Sequence, residues 1–154
     1  MLCCSIAARN TTTTSHGSIL NNAGFIGEGS VTITTDINSD NTDPALLLFD
    51  SHNVTVEGNI TSSGEGVYAD NSTATINGNI TAEFDGISAY DSTITMEGNI
   101  TANGDGINIT SSNLTFDGNI DAYSDGIESH SSKVSVKGTI TAGADGIDAE
   151  DGST

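Results

Sequence analysis

The 154-residue chain carries 3 Lys+Arg against 21 Asp+Glu, a formal net charge of -18 at pH 7. That balance excludes nucleic-acid binding, which needs clustered Lys and Arg to neutralise phosphates, and disfavours an anionic membrane surface. A hydrophobic content of 34% with high charge sits near the disordered range, so only the order of the residues can argue for a fold.

Residues 1–16 read as a disordered lead. Met1 to Ala8 lack the charged start and the full apolar stretch of a secretory signal, and Cys3 and Cys4, adjacent and without further cysteines, read as an incidental pair. Ser18 to Glu28 looks like a degenerate first coil of the repeat that follows. Val31, Ile33 and Ile37 match Val54, Val56 and Ile60 at an offset of 23, and Leu47 and Phe49 match Val67 and Ala69. The expectation is three extra residues between Asn38 and Leu46, bulged around Asp43-Pro44, where Pro is tolerated off the ladder. The longest apolar run, Ala45 to Phe49, falls far short of the roughly 20 residues that span a bilayer.

From Ser51 the chain falls into rows of twenty. Gly58, Gly78, Gly98, Gly118 and Gly138 share one column, and Ile60, Ile80, Ile100, Ile120 and Ile140 another. A third holds Gly66, Gly86, Gly106, Gly126 and Gly146, each preceded by an acid. A fixed period of this length means a repeat architecture. Within one row the apolar residues come in alternating pairs, Ile94 with Met96, Ile100 with Ala102 and Ile107 with Ile109, which is the period of strands. Three short strands per row, separated by Gly-containing turns, close a triangular coil. The sequence therefore predicts an all-β fold, a parallel β-helix (β-solenoid) with 20-residue, three-strand coils over residues 17–150. About six to seven coils at a spacing near 4.8 Å give a rod of roughly 30 Å. Residues 151–154 read as the truncated start of a further coil. With no capping helix visible, the chain is expected to be a segment of a longer solenoid that stacks on further coils of its own kind.

The units Val54 to Thr61, Ile94 to Ile107 and Asn21 to Gly27 resemble the passenger repeats of bacterial autotransporters and pectin-lyase-like surface adhesins. The resemblance covers most of residues 18 to 150. It implies export, display at the bacterial cell surface and outer membrane, and a non-enzymatic structural or adhesive stalk, without direct membrane insertion. The implied partner is a host or cell-surface glycan or protein. A pectin-lyase-like shape also raises polysaccharide cleavage, in which carboxylate-held calcium and a basic residue abstract a proton. Only Arg9, Lys133 and Lys137 are basic, and His16, His52 and His130 belong to no hydrolase motif, so a polysaccharide-acting enzyme fragment is the alternative rather than the reading.

Three columns are candidate sites. Glu65, Asp85, Asp105, Asp125 and Asp145 form an acid column that could hold a calcium ladder, since oxygen donors suit calcium; the competing expectation is that each acid bonds its own turn's backbone. Asn59, Asn79, Asn99 and Asn119, followed by Thr139, are expected to stack as amides from coil to coil. The Asn-Ile-Thr triplets at 59–61, 79–81 and 99–101, like Asn113-Leu-Thr115, also match the glycosylation acceptor pattern, which the repeat itself generates. Thr55, Thr75, Thr95, Thr115 and Ser135 form an outward hydroxyl rank. With Thr73 and Thr93 beside it, this rank raises an ice-binding solenoid as a further alternative, interrupted by Asn53, Asn113 and Lys133 in the neighbouring column.

Overall fold

The computed structural model describes strand segments 11–13, 17–20 and 24–27 and residues 30–50 and 53–154. Cys3, Cys4, Arg9, His16 and His52 lie outside the described residues. The fold is an all-β parallel solenoid of about six coils, each of three strands, with no helix among the described residues. Three sheets form its faces. Face 1 stacks Val31–Ile33, Val54–Val56, Thr73–Asn77, Thr93–Glu97, Asn113–Asp117 and Lys133–Lys137. Face 2 stacks Ile37–Ser39, Ile60–Ser62, Ile80–Ala82, Ile100–Ala102, Ile120–Ala122 and Ile140–Ala142. Face 3 stacks Leu46–Phe49, Val67–Asp70, Ile87–Tyr90, Ile107–Thr110, Ile127–His130 and Ile147–Glu150.

Register follows the twenty-residue columns residue for residue. Ile60 pairs with Ile80, Ile80 with Ile100, Ile100 with Ile120 and Ile120 with Ile140. Strand side chains alternate across the sheet, so each strand sends two side chains inward. In the central coil these are Ile94, Met96, Ile100, Ala102, Ile107 and Ile109, all buried. Six inward residues cannot make a core alone, and the cluster becomes continuous only because each coil lies on the next. Towards the other end the burial fades: Val134, Val136 and Ile140 are partly buried, and Ile147 is 50% exposed.

The turn from face 1 to face 2 depends on glycine. Gly98 has φ +138, and a Cβ there would collide with the Gly78 carbonyl oxygen one coil away. Stacking of backbone on backbone at this corner leaves no room for a side chain.

The first full coil departs from the expected alignment. Leu46 pairs with Val67 and Leu48 with Ala69, so Leu46 and Leu48 are buried, while Leu47 and Phe49 lie on the outer side. A slip of one residue exchanges the two faces of a strand, and four consecutive apolar residues carry no alternation that would set the register. The three extra residues are accordingly split. Two lie in the loop between Ser39 and Leu46, and one in the turn between Phe49 and Val54, where both Asp50 and Asn53 take positive φ.

The beginning of the rod also differs from a degenerate coil. Gly24–Gly27 lies parallel on Leu46–Phe49, but Gly17–Leu20 pairs antiparallel with Gly24–Gly27. Three residues separate these two strands, too few for the crossover that a parallel pair needs. Thr11–Thr13, within the stretch read as a lead, pairs antiparallel with Val31–Ile33. Two of the three faces thus begin on an antiparallel strand. At the other end Thr154 N–H donates to the Ser132 carbonyl and the Thr154 carbonyl accepts from Val134 N–H, continuing face 1.

The inward assignment makes a direct prediction for the central coil. Ile100→Asp buries a lone carboxylate and should cost several kcal/mol, enough to unfold the rod locally or entirely. Thr95→Asp, on the outer side of face 1, should stay within about 0.5 kcal/mol. Thermal melts of the two variants followed by circular dichroism check the difference.

Candidate functional site

Side-chain ladders run along the corners of the coil. At the turn into face 2, Asn79, Asn99 and Asn119 each donate their own backbone N–H and Nδ2 to the Oδ1 of the asparagine one coil earlier, at 2.9–3.2 Å. Asp36 begins the ladder by accepting from Asn59, and Thr139 ends it by donating to Asn119. The asparagine column is the expected amide stack. Nδ2 of Asn79 and Asn99, both in acceptor triplets, is a ladder donor, so a glycan there would replace one of its two N–H groups beside a coil-to-coil bond.

The acid column sits in the turn between faces 2 and 3 and follows the same logic. Asp105 N–H donates to Asp85 Oδ1 at 2.9 Å, Asp125 N–H to Asp105 Oδ1 at 3.0 Å, and Asp145 N–H to Asp125 Oδ1 at 2.7 Å. The carboxylates therefore bond the backbone of the next coil, not that of their own turn. The reason is spacing: successive turns lie one strand separation apart, so a short side chain leaning along the rod axis meets the next N–H. Each of Asp85, Asp105 and Asp125 has one oxygen committed in this way, and Asp105 Oδ2 also lies 3.5 Å from Asn108 Nδ2. Ser88 bridges the first two members, donating to Glu65 Oε1 at 3.2 Å and lying 3.5 Å from Asp85 Oδ2. Burial pushes the Glu65 and Asp85 carboxyls up; the Ser88 hydroxyl works against this at Glu65, and the Asp105 N–H works against it at Asp85.

A third ladder was not anticipated from the sequence. Ser72, Ser92, Ser112 and Ser132 are buried at the turn from face 3 to face 1. Each hydroxyl donates to the carbonyl two residues earlier, at 2.6–2.8 Å, and those of Ser92, Ser112 and Ser132 accept the backbone N–H of the serine one coil before. Ser153 accepts from Ser132 N–H and takes the last place. The residue before each serine has positive φ, as at Asn71, Asp91, Ser111 and Ser131, which turns the chain and aims the serine inward. The column is visible in the sequence, but a Ser among polar residues gives no signal of burial. Among the described residues no buried side-chain N or O lacks a partner.

On the outer surfaces the Thr55, Thr75, Thr95, Thr115 and Ser135 rank stacks in register along face 1. Face 2 carries a second rank, Thr61, Thr81, Thr101 and Thr141, broken by Asp121. Face 3 grades from aromatic to acidic. Phe49, Tyr68 and Tyr90 lie with ring centroids 5.8 and 5.7 Å apart, whereas Glu128, His130, Asp148 and Glu150 occupy its other end. His130 is the last residue of its strand, not part of a turn, and lies 3.1 Å from Glu128 and 3.4 Å from Glu150. His130, Glu150 and Asp151 bring one candidate metal-donor atom each within 4.8 Å of one another. The Glu128 hydrogen bond raises the His130 pKa.

No known family, no curated protein and no solved structure matches the chain.

The shifted groups predict a pH dependence of one sign. Glu65 and Asp85, raised in the fold, contribute stability that is present below their unfolded pKa of about 4 and lost as pH rises through the folded values. His130, also raised, contributes stability that is complete below about 6.5 and lost as pH rises through its folded value. Relief of the general negative charge acts in the same direction. The melting temperature should therefore be higher near pH 5 than near pH 8. Asp85→Asn keeps the Oδ1 acceptor and removes the charge, so it should raise the melting temperature at neutral pH and flatten the acidic part of the profile. For the serine ladder, Ser92→Ala leaves the Ser72 N–H buried without its acceptor and should cost about 1–3 kcal/mol in chemical denaturation.

Proposed function

We propose that the chain is a non-enzymatic extracellular β-solenoid, a structural and adhesive segment of an autotransporter-like passenger displayed at the bacterial cell surface. The observation that carries this reading is the uninterrupted register from Val54 to Glu150, with a bonded side-chain ladder at each of the three corners. A rod in which each coil repeats the chemistry of the last provides length and a regular outer surface, the property a stalk requires. The net charge of -18 supports a solvated, displayed surface that does not self-associate. The unit sequences that resemble passenger repeats supply the link to export.

Protease treatment of intact source cells, followed by immunoblotting for the chain, tests this reading. Display at the surface predicts loss of the signal without lysis, while the untreated cells keep it. Protection from protease until the cells are broken would contradict it.

A further inference from the structure

Face 2 and the turn that follows it carry a groove that the ladders do not use. It is an open depression of ≈ 360 Å³, lined by Thr101, Asp121 and Thr141 on the strand face and by Asn103, Tyr123 and Gly143 in the turn. Tyr123 is 81% exposed in a chain with only 5% aromatic residues. A ring so far from the core adds little to folding, while its apolar body and polar hydroxyl tip suit a wet binding surface. The residue stacked beside it in the next coil is Gly143, which has no side chain to cover the ring, and a Cβ there would collide with the Tyr123 carbonyl. Phe84 is 52% exposed in the same turn two coils earlier.

We infer that this corner is a glycan subsite, and that its ligand is a neutral, extended oligosaccharide lying along the rod axis. A sugar ring offers an apolar C–H face bordered by hydroxyls. Tyr123 supplies the matching flat apolar surface. The Asn103 amide oxygen, whose Nδ2 donates to Glu83 Oε2 at 2.8 Å, the Asp121 carboxylate and the Thr101 and Thr141 hydroxyls supply donors and acceptors for the border. The choice of a neutral glycan follows from charge. Asp121 lines the groove, Glu83 bonds the lining residue Asn103 and the whole chain is at -18, so uronate or sulfate groups would be repelled. The direction follows from spacing: the polar groups recur once per coil, and the two exposed aromatics, one position out of column with each other, lie in turns about 9.6 Å apart along the rod axis at the strand separation. That distance is of the order of a disaccharide step in an extended chain. An added peptide strand is disfavoured, because Ile120–Ala122 is already paired on both sides, with Ile100–Ala102 and Ile140–Ala142.

This inference rests on the adhesive reading, and two assays separate them. Isothermal titration calorimetry of the whole chain would use cellohexaose, mannohexaose and chitohexaose as neutral probes and a hexagalacturonate as the acidic one. Binding of a neutral hexamer is expected, with Tyr123→Ala lowering affinity about tenfold or more and Tyr123→Phe retaining it. Unchanged melting curves would show that both variants fold. The second assay measures adhesion of chain-coated beads to glycan-bearing cells. No binding of any neutral probe, equal binding of hexagalacturonate, or indifference to Tyr123→Ala would overturn the subsite. Beads that adhere equally well with Tyr123→Ala would leave adhesion standing without this groove. Neutral-glycan binding that depends on Tyr123, with beads that fail to adhere, would keep the subsite and overturn the adhesive reading.

Discussion

Coil-to-coil stacking is the constraint on which the rest of the molecule depends. A single twenty-residue turn has six inward side chains and no closed core, and its backbone N–H and C=O groups point along the rod axis at its neighbours. Most of the core and ladder contacts are therefore shared between adjacent coils. In such a system stability is close to a sum of intrinsic coil terms and nearest-neighbour interfaces, so a fault in one coil is felt locally before it is felt globally. It also explains why the sequence repeats so strictly where the coils are regular. An insertion displaces a corner relative to the corner it must bond.

The corners show how a polar sequence satisfies that constraint. Strand backbones bond each other, but the turns between them would leave N–H groups unpaired, and a buried unpaired N–H costs about 1–3 kcal/mol. Asn79 and Asp85 solve this by accepting the N–H of the following coil, and Ser92 by accepting that of the preceding one. The three ladders use an amide, a carboxylate and a hydroxyl for one task. Their difference is environment. The asparagines are exposed, Asp85 is partly buried with a raised pKa, and the serines are buried. A chain poor in large apolar residues thus spends its Asn, Asp and Ser on joining coils.

Much of the architecture was legible because a period of twenty is hard to mistake: the three strands per coil, the isoleucine rank and the amide stack all follow from columns. What was not legible has physical causes. Leu46 to Phe49 are all apolar, so alternation cannot say which pair points inward, and the split of the inserted residues between two turns depends on that choice. The buried serines have the same composition as surface residues, and only the positive φ of the residue before each one turns them in. The direction of the aspartate bonds depends on the separation of neighbouring turns, which a single row does not contain. The antiparallel strands at the start escape a search for repeats because they do not repeat. The groove beside Tyr123 escapes it for the same reason, since its column reads Ser63, Glu83, Asn103, Tyr123, Gly143.

Side-chain ladders hold the corners as firmly as backbone bonds hold the strands. Amide hydrogen exchange followed by NMR reads this directly. The backbone amides of Ser72, Ser92, Asn79, Asn99 and Asp105 are bonded to side-chain oxygens one coil away. Protection of these amides close to that of Ile100 and Ile107 is the predicted result. Exchange at the rate of open loops, with only the strand amides protected, would contradict it.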